Sequence, residues 1–365
     1  MPSLSLPRPS SRRLRWGVPV AAAVVLVGVG PAVAVITADA HGSLPPRTAA
    51  QLLTDVHGAK LQALSGTVVE TSDLGLPALP AVGGRGGDSA SFSSLVSGSH
   101  TMRLWYAGPD RLRLALLGQL GESDLVRNGT DVWAWSSHDN TATHWTVPAG
   151  REGAPLTPDA SAGPAMTPQQ AAEAALKAIN PSTRVTTDPT AEVAGRPAYQ
   201  LDLVPRDPRS LVGSVRIAID GETHVPTRVQ VFARGASDPA FEIGFTSFST
   251  ATPPDSTFAF EPPPGATVKQ GTTPTMRPHA LRHADVSGQA PQVVGKGWTS
   301  VVVADVGTAD DGLPAVLKSL PVVSGPWGSG HLLRGTLFSA VLTDDGRLAV
   351  GAVPPALVYA ALGRR

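Results

Sequence analysis

SDLVRNGTDVWAWSS, residues 123–137, is the stretch that decides the fold. Asn128-Gly129 is the strongest short signal for a tight hairpin, because glycine takes the positive φ of such turns without steric cost. Trp133 and Trp135 lie two apart after the turn, so on a strand they share a face. The pattern continues outward. HTMRLWYAG (100–108) alternates His100, Met102, Leu104 and Tyr106, and Gly108-Pro109-Asp110 turns the chain. RLRLALL (111–117) then returns with Leu112, Leu114 and Leu116 on one face and Arg111 and Arg113 on the other. Downstream, ATHWTVP (142–148) adds Trp145. Successive hairpins with period-two patterning predict an antiparallel sheet with two distinct faces.

Further strands are expected at 65–71, 184–193, 197–204, 213–220, 226–233 and 240–249. That makes about 11 strands between 65 and 249, near the upper end for one open sheet, so the sheet should curl. Its turns are too short for parallel crossovers. Two helices accompany it. Residues 48–64 open on a Thr48/Gln51 capping box and carry Leu52, Leu53, Val56 and Leu64 at helical spacing. Residues 167–179 have Thr167 as cap, Pro168 at the first position and Gln170 three on, and contribute Ala172 and Leu176. The Gly/Ser/Pro-rich residues 72–98 read as a surface insertion, and 148–166 as a linker.

STFAFEPPPGATV (256–268) reads as the last short strand, with Phe258 and Phe260 on one side and Pro262, Pro263 and Pro264 stopping the sheet. Residues 45–268 thus form one domain, and 269–291 a linker. Residues 292–365 form a small α+β unit with a strand in WTSVVVADV, a helix in GLPAVLKSL, a hairpin through Asp344-Asp345-Gly346 and a terminal helix in PPALVYAAL. Such a unit is near the lower size limit for an independent core and should dock on the larger domain. The fold class is α+β, mainly β: a curved antiparallel half-barrel with a helical lid, plus the C-terminal unit.

The 365 residues carry 29 basic and 29 acidic side chains and no cysteine. A balanced charge gives no support for a nucleic-acid partner. Without cysteine there are no disulfides, thiolate metal sites, cysteine nucleophile or lipidated-cysteine anchor. Arg8, Arg12, Arg13 and Arg15 precede an uncharged run over 17–38. That run is long enough to span a bilayer core, which needs roughly 20 residues, and the leading arginines hold the N-terminus inside. Residues 1–40 are therefore a signal peptide, cleaved after Ala34 or Ala40, or a transmembrane anchor. Either way the rest is exported to the outer face of a bacterial cell membrane.

No serine has glycine at both −2 and +2, and VGKGWTS (294–300) lacks the spacing of a phosphate loop. His279 and His283 are four apart, but no third ligand accompanies them. No catalytic constellation assembles, and no enzyme activity, cofactor or metal is expected. What remains is an apolar sheet face. Met102, Leu104, Leu112, Leu114, Leu116, Trp133, Trp135, Ile217, Val229, Val231, Phe241, Ile243 and Phe245 are the candidate wall of a ligand cavity. Leu52, Leu53, Val56, Ala172 and Leu176 are its candidate lid. The competing expectation is that the helices and the C-terminal unit seal this face as an ordinary core.

The run VAGRPAYQLDLVPRD, SVRIAIDGETHVPTRVQVFAR, FEIGFTSFSTATPPDSTFAFEPPPGATV resembles the LolA-like lipoprotein-carrier superfamily in its order and spacing of strands and in its D-x-x-F-x-F-x-P-P-x-G ending. QLLTDVHGAKLQALSGTVVE resembles that family's helix–strand opening, so the resemblance covers residues 45–268. It implies a half-barrel closed by helices over an apolar cavity that binds acyl chains of lipids or lipoproteins, without chemistry. The added C-terminal unit is similar to that of RseB/MucB-type members. That likeness implies the alternative of an envelope-stress sensor, which binds an anti-sigma factor or other membrane regulatory protein. The insertion at 72–98 departs from the family pattern.

Overall fold

The computed structural model describes residues 44–76, 92–119, 121–147, 181–271, 291–306 and 320–364. The N-terminal residues 1–40, the helix expected at 167–179 with Ala172 and Leu176, the helix GLPAVLKSL up to Ser319, and His279 and His283 lie outside them. Among the described residues, no helix is long and apolar enough to cross a membrane.

The chain is mainly β. Helix α1 (Ala49–Gly58) has the expected capping box, with the Thr48 side chain accepting from the Gln51 amide and the Gln51 side chain accepting from the Thr48 amide. It ends six residues before the predicted limit, at Gly58; Leu64, assigned to its stripe, instead begins β1 (Leu64–Ser72). Strands β2 (Gly98–Tyr106), β3 (Arg111–Leu117), β4 (Glu122–Asn128), β5 (Asp131–Ser136) and β6 (Thr141–Thr146) form one meander. A second runs through β7 (Thr183–Val193), β8 (Arg196–Pro205), β9 (Val212–Asp220), β10 (Pro226–Ala233) and β11 (Pro239–Ser249). The first meander runs outward from β1, and the second begins at the far edge and works back until β11 pairs with the other side of β1. β1 is therefore the seam. The sheet is open and curved. Four strands apart in a flat sheet means about 19 Å, yet residues of β7 and β11 come within 8 Å.

The segment after β11 corrects two expectations. Phe258 and Phe260 are not on a strand: Asp255–Phe258 is a 3-10 turn and the chain continues extended through the prolines. Nor do the prolines end the sheet. Beyond them β12 (Thr267–Gln270) pairs parallel with β6, adding a twelfth strand at the opposite edge. Residues 250–266 thus cross β1 to β6 as a strap. Proline lacks a ladder donor, so this stretch suits a crossing over a sheet face better than a place within it. Phe258 is 1% exposed beneath the strap, with the Arg111 guanidinium 5.9 Å from its ring centre. Arg111 also pairs with Asp255, and Phe260 lies 5.4 Å from Trp133.

The C-terminal residues form a second sheet of β13 (Gln292–Val294), β14 (Val301–Asp305), β15 (Val322–Gly325), β16 (Gly328–Arg334), β17 (Ser339–Thr343) and β18 (Arg347–Gly351), with helix α2 (Pro355–Leu362) against it. The β17–β18 hairpin turns through Asp344 and Asp345 with Gly346 at φ 89°, as expected. This sheet has its own core around Val341, Ala349, Val353 and Val358. It docks on the larger sheet through Trp298 Nε1, which donates to Thr183 Oγ1 at 2.7 Å, and through backbone bonds from Leu211 to Ala352 and from Thr336 to Leu74.

Candidate functional site

Strand register assigns every side chain of the large sheet to a face. Leu112, Leu114 and Leu116 on β3 stand opposite Tyr106, Leu104 and Met102 on β2, and Met102 stands opposite Val68 on β1. Across the seam Val68 faces Phe245, and Ile243 and Phe241 continue to Val229 and Val231 on β10 and then to Ile217 on β9. Eleven of the thirteen predicted wall residues therefore share one face. Seven of them (Met102, Leu104, Leu116, Ile217, Val229, Ile243 and Phe245) are buried in the main core, with Leu112, Leu114, Val231 and Phe241 packed against it. The lid residue Leu52 is fully buried there, Val56 packs beside it, and Leu53 is half-buried. The stripe also includes Leu64, expected in the helix, and Leu125, Tyr199, Leu201, Leu203, Val215 and Ile219, which were not among the expected wall residues. Their period-two spacing in β8 and β9 carried the signal.

Trp133 and Trp135 belong to the opposite face. The Asn128–Asp131 pairing of the hairpin sets Trp133 against Val126 and Trp135 against Asp124, whereas Leu114 shares its face with Leu125 and Ala134. A single residue of register decides the side. There the indoles meet the strap: Phe260 covers both, and Trp133 stacks on His144, whose Nε2 bonds Asp131 at 2.8 Å. Arg113 bridges to Asp124 at 2.7 Å, and burial pushes the Asp124 carboxyl up to about 6 against the pull of that guanidinium.

Among the described residues the inward face buries Arg127 on β4, opposite Leu112 and bonded to Asp110 and the Gly129 carbonyl, and Glu70, which has no such partner. Glu70 on β1 lies between His100 of β2 and Ile243 of β11, and is only 3% exposed. Neither carboxyl oxygen has a hydrogen-bond partner. His100, the titratable neighbour across the ladder, is turned to Ser97 O at 2.9 Å and Ser94 Oγ at 3.4 Å. Burial pushes the Glu70 carboxyl up from its ordinary 4.5 to about 8. Between those values the folded chain holds a proton that the unfolded chain has released, so stability falls as pH rises through that window. The slope contributed is up to about 1.4 kcal/mol per unit. Denaturation midpoints should therefore drop between about pH 5 and about pH 8, and drop less in Glu70→Gln; equal slopes in the two proteins would refute this assignment.

A cleft of about 610 Å³ opens at the C-terminal end of α1, lined by Thr54, Asp55, Lys60, Gln62, Glu222 and His224 among others. Its lining is largely polar, unlike the apolar stripe. Among the described residues, no group of three or more His, Asp or Glu side chains is placed to hold a metal ion.

No family model matches the chain, and no curated protein sequence matches it. Among solved structures it is similar to a chain of the MucA/MucB complex of Pseudomonas aeruginosa, with 15% identity over 86% of this chain and 96% of that one and a TM-score of 0.42. It is similar also to a LolA-superfamily protein from Nitrosomonas europaea, with 8% identity over 59% of this chain and 99% of that one and a TM-score of 0.23. A third is a putative outer membrane lipoprotein-sorting protein domain from Vibrio parahaemolyticus, with 10% identity over 57% and 94% and a TM-score of 0.21.

Proposed function

We propose that this chain is a non-catalytic binding protein of the bacterial cell envelope whose inward sheet face takes the acyl chain of a lipid or lipoprotein. The observation that carries this reading is the apolar stripe itself, which runs from Leu116 on β3 to Leu203 on β8 and continues through Leu114 to Leu125 on β4. The described elements packed over it are small: a ten-residue helix, the 3-10 turn Phe92–Val96, and Trp298, Leu337 and Ala352 of the C-terminal unit. An apolar face of that extent, buried beneath so small a cover, suits a long hydrocarbon ligand better than a small polar one. Residues 17–38 supply the export segment in this reading, and 45–268 and 292–365 are separate domains.

The test is uptake of a fluorescent fatty-acyl probe by the purified full chain. Wild-type protein should bind it, and Leu114→Asp, which sets a charge on the half-buried middle of the stripe, should abolish uptake while keeping the β circular-dichroism spectrum. A folded wild type that takes up no probe refutes the reading.

A second reading is regulatory: the C-terminal sheet contacts a membrane regulatory protein, in the way that MucB and MucA form a complex in the structure from Pseudomonas aeruginosa. The observation favouring it is β15, an edge strand whose Val322 is 71% exposed. Unpaired strand edges with exposed apolar side chains are where extended partner segments add. Val322→Lys should then lose capture of the membrane partner and leave probe uptake and stability unchanged; undiminished capture would remove this reading.

A further inference from the structure

Glu70 stands where the pattern of its own strand and neighbours calls for an apolar residue. Val68 precedes it on the same face, Ile243 and His100 flank it, and Met102 and Phe245 lie diagonally across the ladder. Nothing at the fold level requires a carboxyl there, because both oxygens are buried and make no hydrogen bond. An unmet buried polar group costs about 1–3 kcal/mol, which a leucine would avoid. The nearest candidate partner, His100, spends both ring nitrogens on Ser97 and Ser94. In the 3-10 turn that packs on β1 and β2, Phe92–Val96, Ser94 is turned to His100. The carboxyl is therefore an uncommitted donor and acceptor set into the apolar stripe.

We infer that Glu70 is the polar anchor of the acyl-ligand site proposed above, its carboxyl hydrogen-bonding the ester or amide carbonyl that joins an acyl chain to the rest of its molecule. The inference rests on that reading. A neutral carboxyl donates its O–H to a carbonyl and leaves the chain's methylenes to the flanking Val68, Met102 and Phe245 side chains. It is uncharged at neutral pH because burial raises it to about 8. Such a group discriminates an acyl ester from a bare hydrocarbon of equal length, which the leucines and isoleucines alone cannot do. A cationic amine would instead draw the carboxyl into its ionised form.

The experiment compares three ligands on the full-length chain by displacement of a fluorescent hydrophobic dye: monopalmitoylglycerol, hexadecane and hexadecylamine. Glu70→Leu removes the anchor and Glu70→Gln retains a donor and an acceptor. Glu70→Leu should not melt below wild type, since leucine relieves an unmet polar group. The expected result is equal monopalmitoylglycerol affinity in wild type and Glu70→Gln, about tenfold weaker affinity in Glu70→Leu, and equal hexadecane affinity in all three. Unchanged monopalmitoylglycerol affinity in Glu70→Leu overturns the anchor while leaving the acyl site standing. A wild-type preference for hexadecylamine also overturns it. No displacement by any of the three overturns the acyl site and the anchor together.

Discussion

Phe258→Ala is expected to lower the stability of the chain by about 3–5 kcal/mol, the usual cost of emptying a fully buried aromatic site. The ring is 1% exposed, and it is the deepest point at which the strap of residues 250–266 engages the outer face of the sheet. Arg111 lies over it and pairs with Asp255, so the truncation also releases a cation–π contact and loosens an ion pair. The strap ties β11, on one side of the seam, to β12 at the edge of the other half, so its loss should be felt by both meanders. Phe260→Ala should cost less, because that side chain is half-buried, but should red-shift tryptophan emission as Trp133 and Trp135 lose their cover. Urea titration followed by tryptophan fluorescence measures both. A Phe258→Ala unfolding free energy within about 1 kcal/mol of wild type would mean the strap is not a structural tie.

Gly66→Val should be as damaging, by about 3 kcal/mol or more, since overpacking a tight site against backbone leaves little room to relax. A Cβ at Gly66 would lie 2.3 Å from the Ser247 carbonyl oxygen and 2.8 Å from the Phe245 ring. The site sits next to the bulge between Thr67 and Val68, where the Thr67 amide bonds Ser247 Oγ at 2.9 Å. Among the described residues β1–β11 is the pairing that joins the two meanders of the sheet, so disturbing it separates halves that are each hairpin-built. Gly58→Ala is the control: a Cβ there meets nothing within 4 Å. Removing glycine freedom from that last residue of α1 should be neutral or stabilise by up to about 1 kcal/mol. Equal effects from the two substitutions would show that the seam is not uniquely tight.

These two positions bear on function as well as stability. The strap fastens the outer face and the glycine seam lets Phe245 lean across β1, where its ring meets Phe248 edge-on at 5.2 Å between centres. Phe245 is itself a stripe residue, so the glycine seam reaches the inward face, whereas the strap engages only the outer one.

Much of this was legible in the chain. Alternation in 100–147 and 184–249 determined the strands, because side-chain direction in a strand has a period of two and needs no distant partner to be read. The capping box of α1 was legible for the same reason: Thr48 and Gln51 satisfy each other locally. Eleven wall residues could be placed on one face because each strand repeats its own parity. What sequence could not determine was parity between strands. Trp133 and Trp135 read as apolar as Leu114, and only the Asn128–Asp131 register turned them to the outer face. The strap lay further beyond reach. Phe258 and Phe260 look like a last strand, since two aromatics at spacing two are what a strand shows. Their position was decided by a pairing between β12 and β6 that bridges more than a hundred residues of chain. Glu70 is the same lesson in polar form: its residue type was visible, but its isolation depends on which way His100 and the 3-10 turn face, which only the packed sheet decides.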